Sequence, residues 1–321
     1  MLSLENNPID DSAADVIKSA FIINSSIENL NLSHCAMTQT GLLTILSALE
    51  YVSCLQYINL QSNNFTKEVA EKMLNVIQMN NKLKKIDLSH CDVPQSYLIA
   101  YINLTLSDPS HIQGIDFSYN DCNIVSEDYG SLENYYLANN IPLTYLNLSH
   151  CKLSDVKTNG ILCSLWCSSV RSLTYLSLST CTIISERSLM YAISNNRNLE
   201  YLDLSDCKLQ QKDIIVIAEC LRTTRVIQYL LLSCNIIDDI SAKKLAETLS
   251  SYLSLKQLSL SNCKLQENGM LQIIGALQCT TSLQHLDLSH NVVSDGAAIY
   301  IAIALSCNTS LECLNEQLCF V

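Results

Sequence analysis

One nine-residue unit governs the chain: Leu283-Gln-His-Leu-Asp-Leu-Ser-His-Asn291, with apolar residues at Leu283, Leu286 and Leu288 and a closing Asn291. It returns at Ile27–Cys35, Leu55–Asn63, Leu83–Cys91, Ile112–Asn120, Leu143–Cys151, Leu173–Cys181, Leu199–Cys207, Ile227–Asn235 and Leu255–Cys263, and starts again at Leu311. Most steps are 28 residues, as from Leu255 to Leu283; the step from Ile112 to Leu143 is 31. A fixed period of this size marks a stack of supersecondary units, each burying its apolar face only against its neighbours. Alternation of Leu286 and Leu288 with polar residues makes the unit a short strand. The rest of each period has room for a helix.

The intervening segments read as helices. In Ser294–Leu305 the residues Ala298, Ile301, Ala302 and Leu305 share a helical face, and Ser294 or Asp295 can cap the start. Leu271, Ile274, Gly275 and Gln278 mark the helix before, and Leu245, Ala246 and Leu249 the one before that. Small Ala and Gly residues let helix and strand approach closely. Pro94 and Pro109 flank another helix. From Asp121 to Pro142 the pattern weakens, and an irregular or shortened helix is expected. The fold class is therefore an α/β solenoid of about eleven repeats. Parallel strands line the concave side of a horseshoe and helices its convex side.

Length alone would suggest two domains, at roughly 150 residues each. The repeat overrides that, and residues 1–321 read as one repeat domain. Counting back from Ile27, Leu2 and Leu4 match Leu286 and Leu288, and Asp11–Phe21 matches the following helix. The chain thus starts within a strand and stops part-way through a repeat. A piece of a longer protein would look like this; so would degenerate edge strands acting as caps.

Six of the 16 cysteines (Cys35, Cys91, Cys151, Cys181, Cys207, Cys263) hold the position that Asn63, Asn120, Asn235 and Asn291 hold elsewhere. A residue exchangeable with Asn is an internal hydrogen-bonding group, not half of a disulfide. Many free thiols fit a reducing compartment, so a cytoplasmic location is expected. There is no run of about 18 apolar residues and no basic, apolar leader at Met1. The formal charge of −12 disfavours nucleic acid and anionic membrane and favours a partner with a basic surface, although solubility alone would also explain it.

The 28-residue period, the L-x-x-L-x-L-S-x-N/C strand and the Ala-rich helix resemble the ribonuclease-inhibitor subfamily of leucine-rich repeats over the whole chain. The alternation Cys35, Asn63, Cys91, Asn120 resembles that subfamily's two repeat types; Cys151, Cys181 and Cys207 break it. Similar repeats occur in the sensor region of NACHT-type innate-immunity receptors and in the activating protein for the Ran GTPase. The resemblance implies protein recognition without catalysis; a GTPase regulator of the Ran-activating type is the alternative. No G-x-x-x-x-G-K-S/T motif and no acidic tail is present in the sequence.

With Leu286 and Leu288 inside, His285, Asp287 and Ser289 point outward. The first outward column runs Asn29, Tyr57, Lys85, Gly114, Tyr145, Tyr175, Tyr201, Tyr229, Gln257, His285. The second runs Asn31, Asn59, Asp87, Asp116, Asn147, Ser177, Asp203, Leu231, Ser259, Asp287, and the third is Ser almost throughout. Tyr145, Tyr175, Tyr201 and Tyr229 would form an aromatic strip, one ring per strand at about 4.8 Å. Such a strip, with Tyr57, His285 and the acids Asp87, Asp116, Asp203 and Asp287, is the candidate protein-binding surface. Rings that stack on each other merely to cover the sheet are the competing reading.

His34, His90, His150 and His290 share a column, but each faces away from the residue after it and they sit in non-adjacent repeats, so no metal site is expected. Cys163 and Cys167 lack a second ligand pair and read as packing. Ser, His and Asp recur as columns rather than as one unique constellation, so neither enzyme activity nor a cofactor is expected.

Overall fold

The structure, a computed structural model, describes residues 1–24, 26–105, 111–120, 142–151, 172–182, 186–292 and 294–315. They fall into two compact units, one within Met1–Lys152 and one within Arg171–Val321. The first contains strands β1 (Leu2–Ser3), β2 (Asn29–Asn31), β3 (Tyr57–Asn59), β4 (Lys85–Asp87), β5 (Gly114–Asp116) and β6 (Tyr145–Asn147). Its helices are α1 (Asp11–Ile23), α2 (Gln39–Leu49), α3 (Lys67–Met79) and α4 (Gln95–Thr105). Each strand pairs in parallel with the next in sequence, so Leu2 meets Leu30 and Leu30 meets Ile58. The second unit repeats the plan with β7 (Tyr175–Ser177), β8 (Tyr201–Asp203), β9 (Tyr229–Leu231), β10 (Gln257–Ser259), β11 (His285–Asp287) and β12 (Cys313–Asn315). Helices α5 (Glu186–Asn195), α6 (Gln211–Thr224), α7 (Asp239–Leu249), α8 (Glu267–Leu277) and α9 (Asp295–Cys307) connect them.

Helix starts follow capping chemistry. Asp10, Thr38, Thr66, Asp238 and Ser294 each stand just before a helix and accept a first-turn N–H through the side chain. Ser294, not Asp295, caps α9. The apolar face of α7 is as expected, with Leu245, Ala246 and Leu249 buried. Two faces need correction. In α8 the buried stripe is Met270, Ile273, Ile274 and Leu277, with Gln278 exposed. In α9 it is Ala297, Ile301 and Ala304, while Ala298 and Ala302 are exposed and Leu305 is 42% exposed. Both helices are apolar on more than one side, so spacing alone admits two stripes. The glycine expectation also shifts: an added Cβ on Gly269 would lie 3.1 Å from Ala242 Cβ, so this glycine serves a helix–helix approach. The irregular stretch at Asp121–Pro142, Pro109 and the Cys163–Cys167 pair lie outside the described residues apart from Pro142 itself.

The closing Asn or Cys of each unit ties neighbouring repeats together. Asn63 Nδ2 donates to Leu32 O of the preceding repeat (2.8 Å) and to Leu60 O of its own (2.9 Å). Asn120, Asn235 and Asn291 do the same with Leu88 and Phe117, Leu204 and Leu232, and Leu260 and Leu288. Cysteine keeps the backward bond: the thiols of Cys35, Cys91, Cys151, Cys207 and Cys263 donate to Leu4 O, Leu60 O, Phe117 O, Leu178 O and Leu232 O. All five are buried.

Asn has an acceptor that Cys lacks, and the turns differ accordingly. Met37, Val93, Leu209 and Leu265, two residues past a Cys, donate their N–H to Oδ1 of the Asn in the next repeat. Ile9, Phe65 and Ile237, two residues past an Asn, donate instead to the backbone carbonyl of the next Cys. Where a Cys repeat is followed by an Asn repeat, the residue after the thiol is left-handed: Ala36, Asp92, Lys208 and Lys264 have φ of 48–55°. Ile236 and Val292, which follow Asn, are not left-handed; a β-branched side chain would be strained there. The alternation is thus two interlocking turn geometries.

Asn235→Ala would leave Leu209 N–H without its acceptor and Leu204 O without its side-chain donor. It should destabilise the chain by about 3 kcal/mol in urea titration, from buried groups each worth roughly 1–3 kcal/mol. Asn235→Cys, which restores the donor but not the acceptor, should fall between. Burial pushes the thiols of Cys91 and Cys263 up to about 12, so they stay neutral in the folded chain. Their contribution is complete below the unfolded thiol range and is lost as pH climbs from about 9 toward 12. Thiol titration of native protein at pH 8 should spare them until denaturant is added; rapid native labelling would contradict the ladder.

Candidate protein-binding face

Three side-chain columns leave the strands, and burial and bonding separate their duties. Most of the third column is not on the surface as expected: Ser33, Ser89, Ser118, Ser149, Ser179 and Ser289 are each 9% exposed or less, while Gln61, Ser205, Ser233 and Ser261 are half-buried. It lies just beyond the three-residue strand, where the chain has begun to turn.

The second column makes that turn. Asp87 Oδ1 accepts from Ser89 N–H and its hydroxyl (3.0 and 2.7 Å), and Asp116 Oδ1 does the same for Ser118 (2.9 and 2.6 Å). Asp203 Oδ1 takes Ser205 N–H and Asp287 Oδ1 takes Ser289 N–H, while Asn31, Asn59 and Asn147 cap in the same way. A short side chain accepting from the backbone two residues on is an Asx turn. The second oxygens are engaged too. Asp116 Oδ2 accepts from Tyr145 Oη and Asn147 Nδ2, both at 2.9 Å, Asp203 Oδ2 from Ser177 Oγ and Asp287 Oδ2 from Ser259 Oγ. Burial raises the Asp87 carboxyl above its ordinary range, opposed by its bonds to Ser89. The four acids are half-buried turn caps first and surface charges second.

The first column is different. Tyr57, Tyr145, Tyr175, Tyr201 and Tyr229 are half-buried and His285 is exposed. On adjacent strands β7 and β8, Tyr175 and Tyr201 stack with centroids 4.2 Å apart and planes 11° apart; Tyr229 on β9 continues the row at 6.1 Å and 33°. Burial, then the neighbouring Tyr175 and Asp203, raises the Tyr201 hydroxyl well above its usual range. Tyr145 belongs to the other unit and is held by its bond to Asp116. Burial and Asp87 raise the Tyr57 hydroxyl. Gly114 leaves a notch beside Tyr145, since a Cβ there would stand 3.4 Å from Tyr145 Cβ. The structure thus joins Tyr175, Tyr201 and Tyr229 in one row of the second unit, with Asp203 below them. Tyr57, Asp87, Asp116 and Tyr145 occupy β3 to β6 of the first, and His285 and Asp287 share β11.

The histidine column sits on a left-handed turn residue found in every described repeat, with φ of 54–59° at His34, His90, His150 and His290. Exposure of His90 against burial of Cys91 follows from that turn, not from strand alternation as the sequence suggested. One aromatic feature escaped sequence reading. Tyr119, in the same column, stacks between His90 and His150 with both centroid distances 4.2 Å. The signal was a Tyr where neighbouring repeats carry His.

The family model described as "Leucine Rich repeat" matches residues 139–156, 195–218 and 280–302. Those matches include the strand units Leu143–Cys151, Leu199–Cys207 and Leu283–Asn291.

The chain folds as a leucine-rich repeat solenoid.

Leucine-rich repeats are protein-interaction modules built on extended surfaces of stacked units. The human "NACHT, LRR and PYD domains-containing protein 13" is 27% identical over 252 residues, 77% of this chain. The chain spans 24% of that relative's length. Among solved structures, an internalin from Listeria monocytogenes is 19% identical with a TM-score of 0.46, covering 83% of this chain and 82% of its own. The C-terminal domain of Caenorhabditis elegans tropomodulin is 16% identical with a TM-score of 0.39, covering 48% of this chain and 93% of its own. No helix among the described residues is long and apolar enough to cross a membrane.

Proposed function

We propose that residues 1–321 act as one leucine-rich repeat domain of the ribonuclease-inhibitor type, which recognises a protein partner on its strand face and performs no catalysis. The observation that carries this is the Tyr175–Tyr201–Tyr229 row. The Asp and Ser columns have turn-building duties; nothing in the fold requires aromatic rings in the first column. Rings fixed to a sheet lose little entropy on binding, and each can bury apolar area while its hydroxyl stays wet. The carboxylates of Asp203 and Asp287 lie on the same face, which supports a basic partner surface over nucleic acid or anionic membrane, as does the net charge of −12.

The non-catalytic reading is supported by the covered serines and by ladder thiols held neutral, neither of which can serve as an activated nucleophile. A cytoplasmic location is supported by free thiols at exposed positions, Cys234, Cys279, Cys307 and Cys313.

The test is Tyr175→Ala with Tyr201→Ala. Affinity purification from cell extract should lose the partners of the wild-type chain, and with a purified partner Kd should rise about thirtyfold or more, as for removal of a 2 kcal/mol hot spot. Thermal stability should change little. Unchanged Kd at unchanged stability would show the row to be a covering; lost stability with intact binding would show it to be structural.

A further inference from the structure

The second unit contains a groove of about 810 Å³ that the strand-face columns do not account for. It is lined by residues just before strands β8 to β12, where helices return to the sheet. Its lining is polar and carries three cations, Arg197, Arg225 and Lys256, against two carboxylates, Glu200 and Glu312. Arg197, Arg225 and Lys256 are exposed, and none is in an ion pair among the described residues, in a chain with 31 acidic and 19 basic side chains. Arg197 and Arg225 hold the same position in consecutive repeats, two residues before Leu199 and Ile227, about one strand spacing of 4.8 Å apart. Like charges set side by side repel unless an anion lies between them.

The groove wall is built rather than loose. Ser254 Oγ donates to Arg225 O (2.8 Å), Ser282 Oγ to Tyr252 O (3.3 Å) and Ser310 Oγ to Thr280 O (3.5 Å), so each returning loop is pinned to the one before. The cations lie over β8 to β10, with Glu200 among them at the β8 edge, and Glu312, which accepts from Gln284 Nε2, closes the β12 end.

We propose that this groove binds an extended acidic peptide segment, laid across the strands with its carboxylates over Arg197, Arg225 and Lys256. Five strands span four steps of about 4.8 Å, enough for about six extended residues at 3.3–3.4 Å each. A nucleic acid would bring far more negative charge against a chain of net −12. The site is separate from the tyrosine row, and its failure would leave the strand-face reading untouched.

The test uses fluorescence anisotropy with a fluorescein-labelled peptide Glu-Glu-Glu-Ser-Gly-Lys, its counterpart with the charges reversed, and a thymidine hexanucleotide. The acidic peptide should bind the full chain best, and Arg225→Glu with Lys256→Glu should weaken it at least tenfold. Arg225→Gln with Lys256→Gln, a milder change, should weaken it less, and Tyr175→Ala with Tyr201→Ala not at all. The inference is overturned by no binding up to about 1 mM peptide, by preference for the basic peptide or the oligonucleotide, or by unchanged affinity in both charge variants at unchanged melting temperature.

Discussion

A main-chain carbonyl one residue before the third outward column, such as Leu32 O or Leu60 O, has turned away from the strand ladder and into the interior. It needs a donor from the next repeat. Asn63 and Cys91 supply one each, at 2.8 and 3.1 Å, and the same contact recurs through both units. The net value of one such bond is about 1 kcal/mol, and leaving the carbonyl buried without it costs more. In a stack where each repeat touches only its neighbours, one such term per interface sets how far the stack remains cooperative. The three-residue strands are too short to do this through their own ladder.

That constraint decides what the outer face can present. The turn after each strand must bend back toward the ladder residue, and the second-column Asp or Asn makes the bend by capping the following N–H. The serine after it is buried at Ser89 and Ser289 and half-buried at Ser205. What remains for recognition is the first column, where Tyr175, Tyr201 and Tyr229 pack in a row, and the left-handed turn column, where His90, Tyr119 and His150 stack. The returning loops carry a different chemistry, with Arg197, Arg225 and Lys256 along a polar groove.

The repeat positions were legible because their physics is local: a period-two strand, a cap at Ser294, and exchange of Cys with Asn at a fixed place. The role of Cys35 or Cys91 as an internal donor followed from that exchange alone. Other readings failed where sequence gives no direction. Ser289 was placed outward by counting alternation past the end of a strand that stops at Asp287. Ala298 and Leu305 were placed inward on a helix whose apolar residues surround it. Asp203 carries a turn-capping duty that was not legible, because an Asx cap and a surface carboxylate look alike in sequence. The groove was invisible, since its cations are brought together only by stacking residues 28 apart.

Hydrogen exchange tests the ladder most directly. Met37, Val93, Leu209 and Leu265 lie in turns, outside every helix and strand, yet each donates its amide to a buried Asn of the next repeat. Exchange at these four amides in the native chain should be as slow as at strand amides such as Leu230, and Asn235→Ala should release Leu209 while leaving Leu265 protected. Exchange at the rate of exposed loops in the native chain, or release of all four together, would contradict an account in which Asn and Cys side chains hold each repeat to the next.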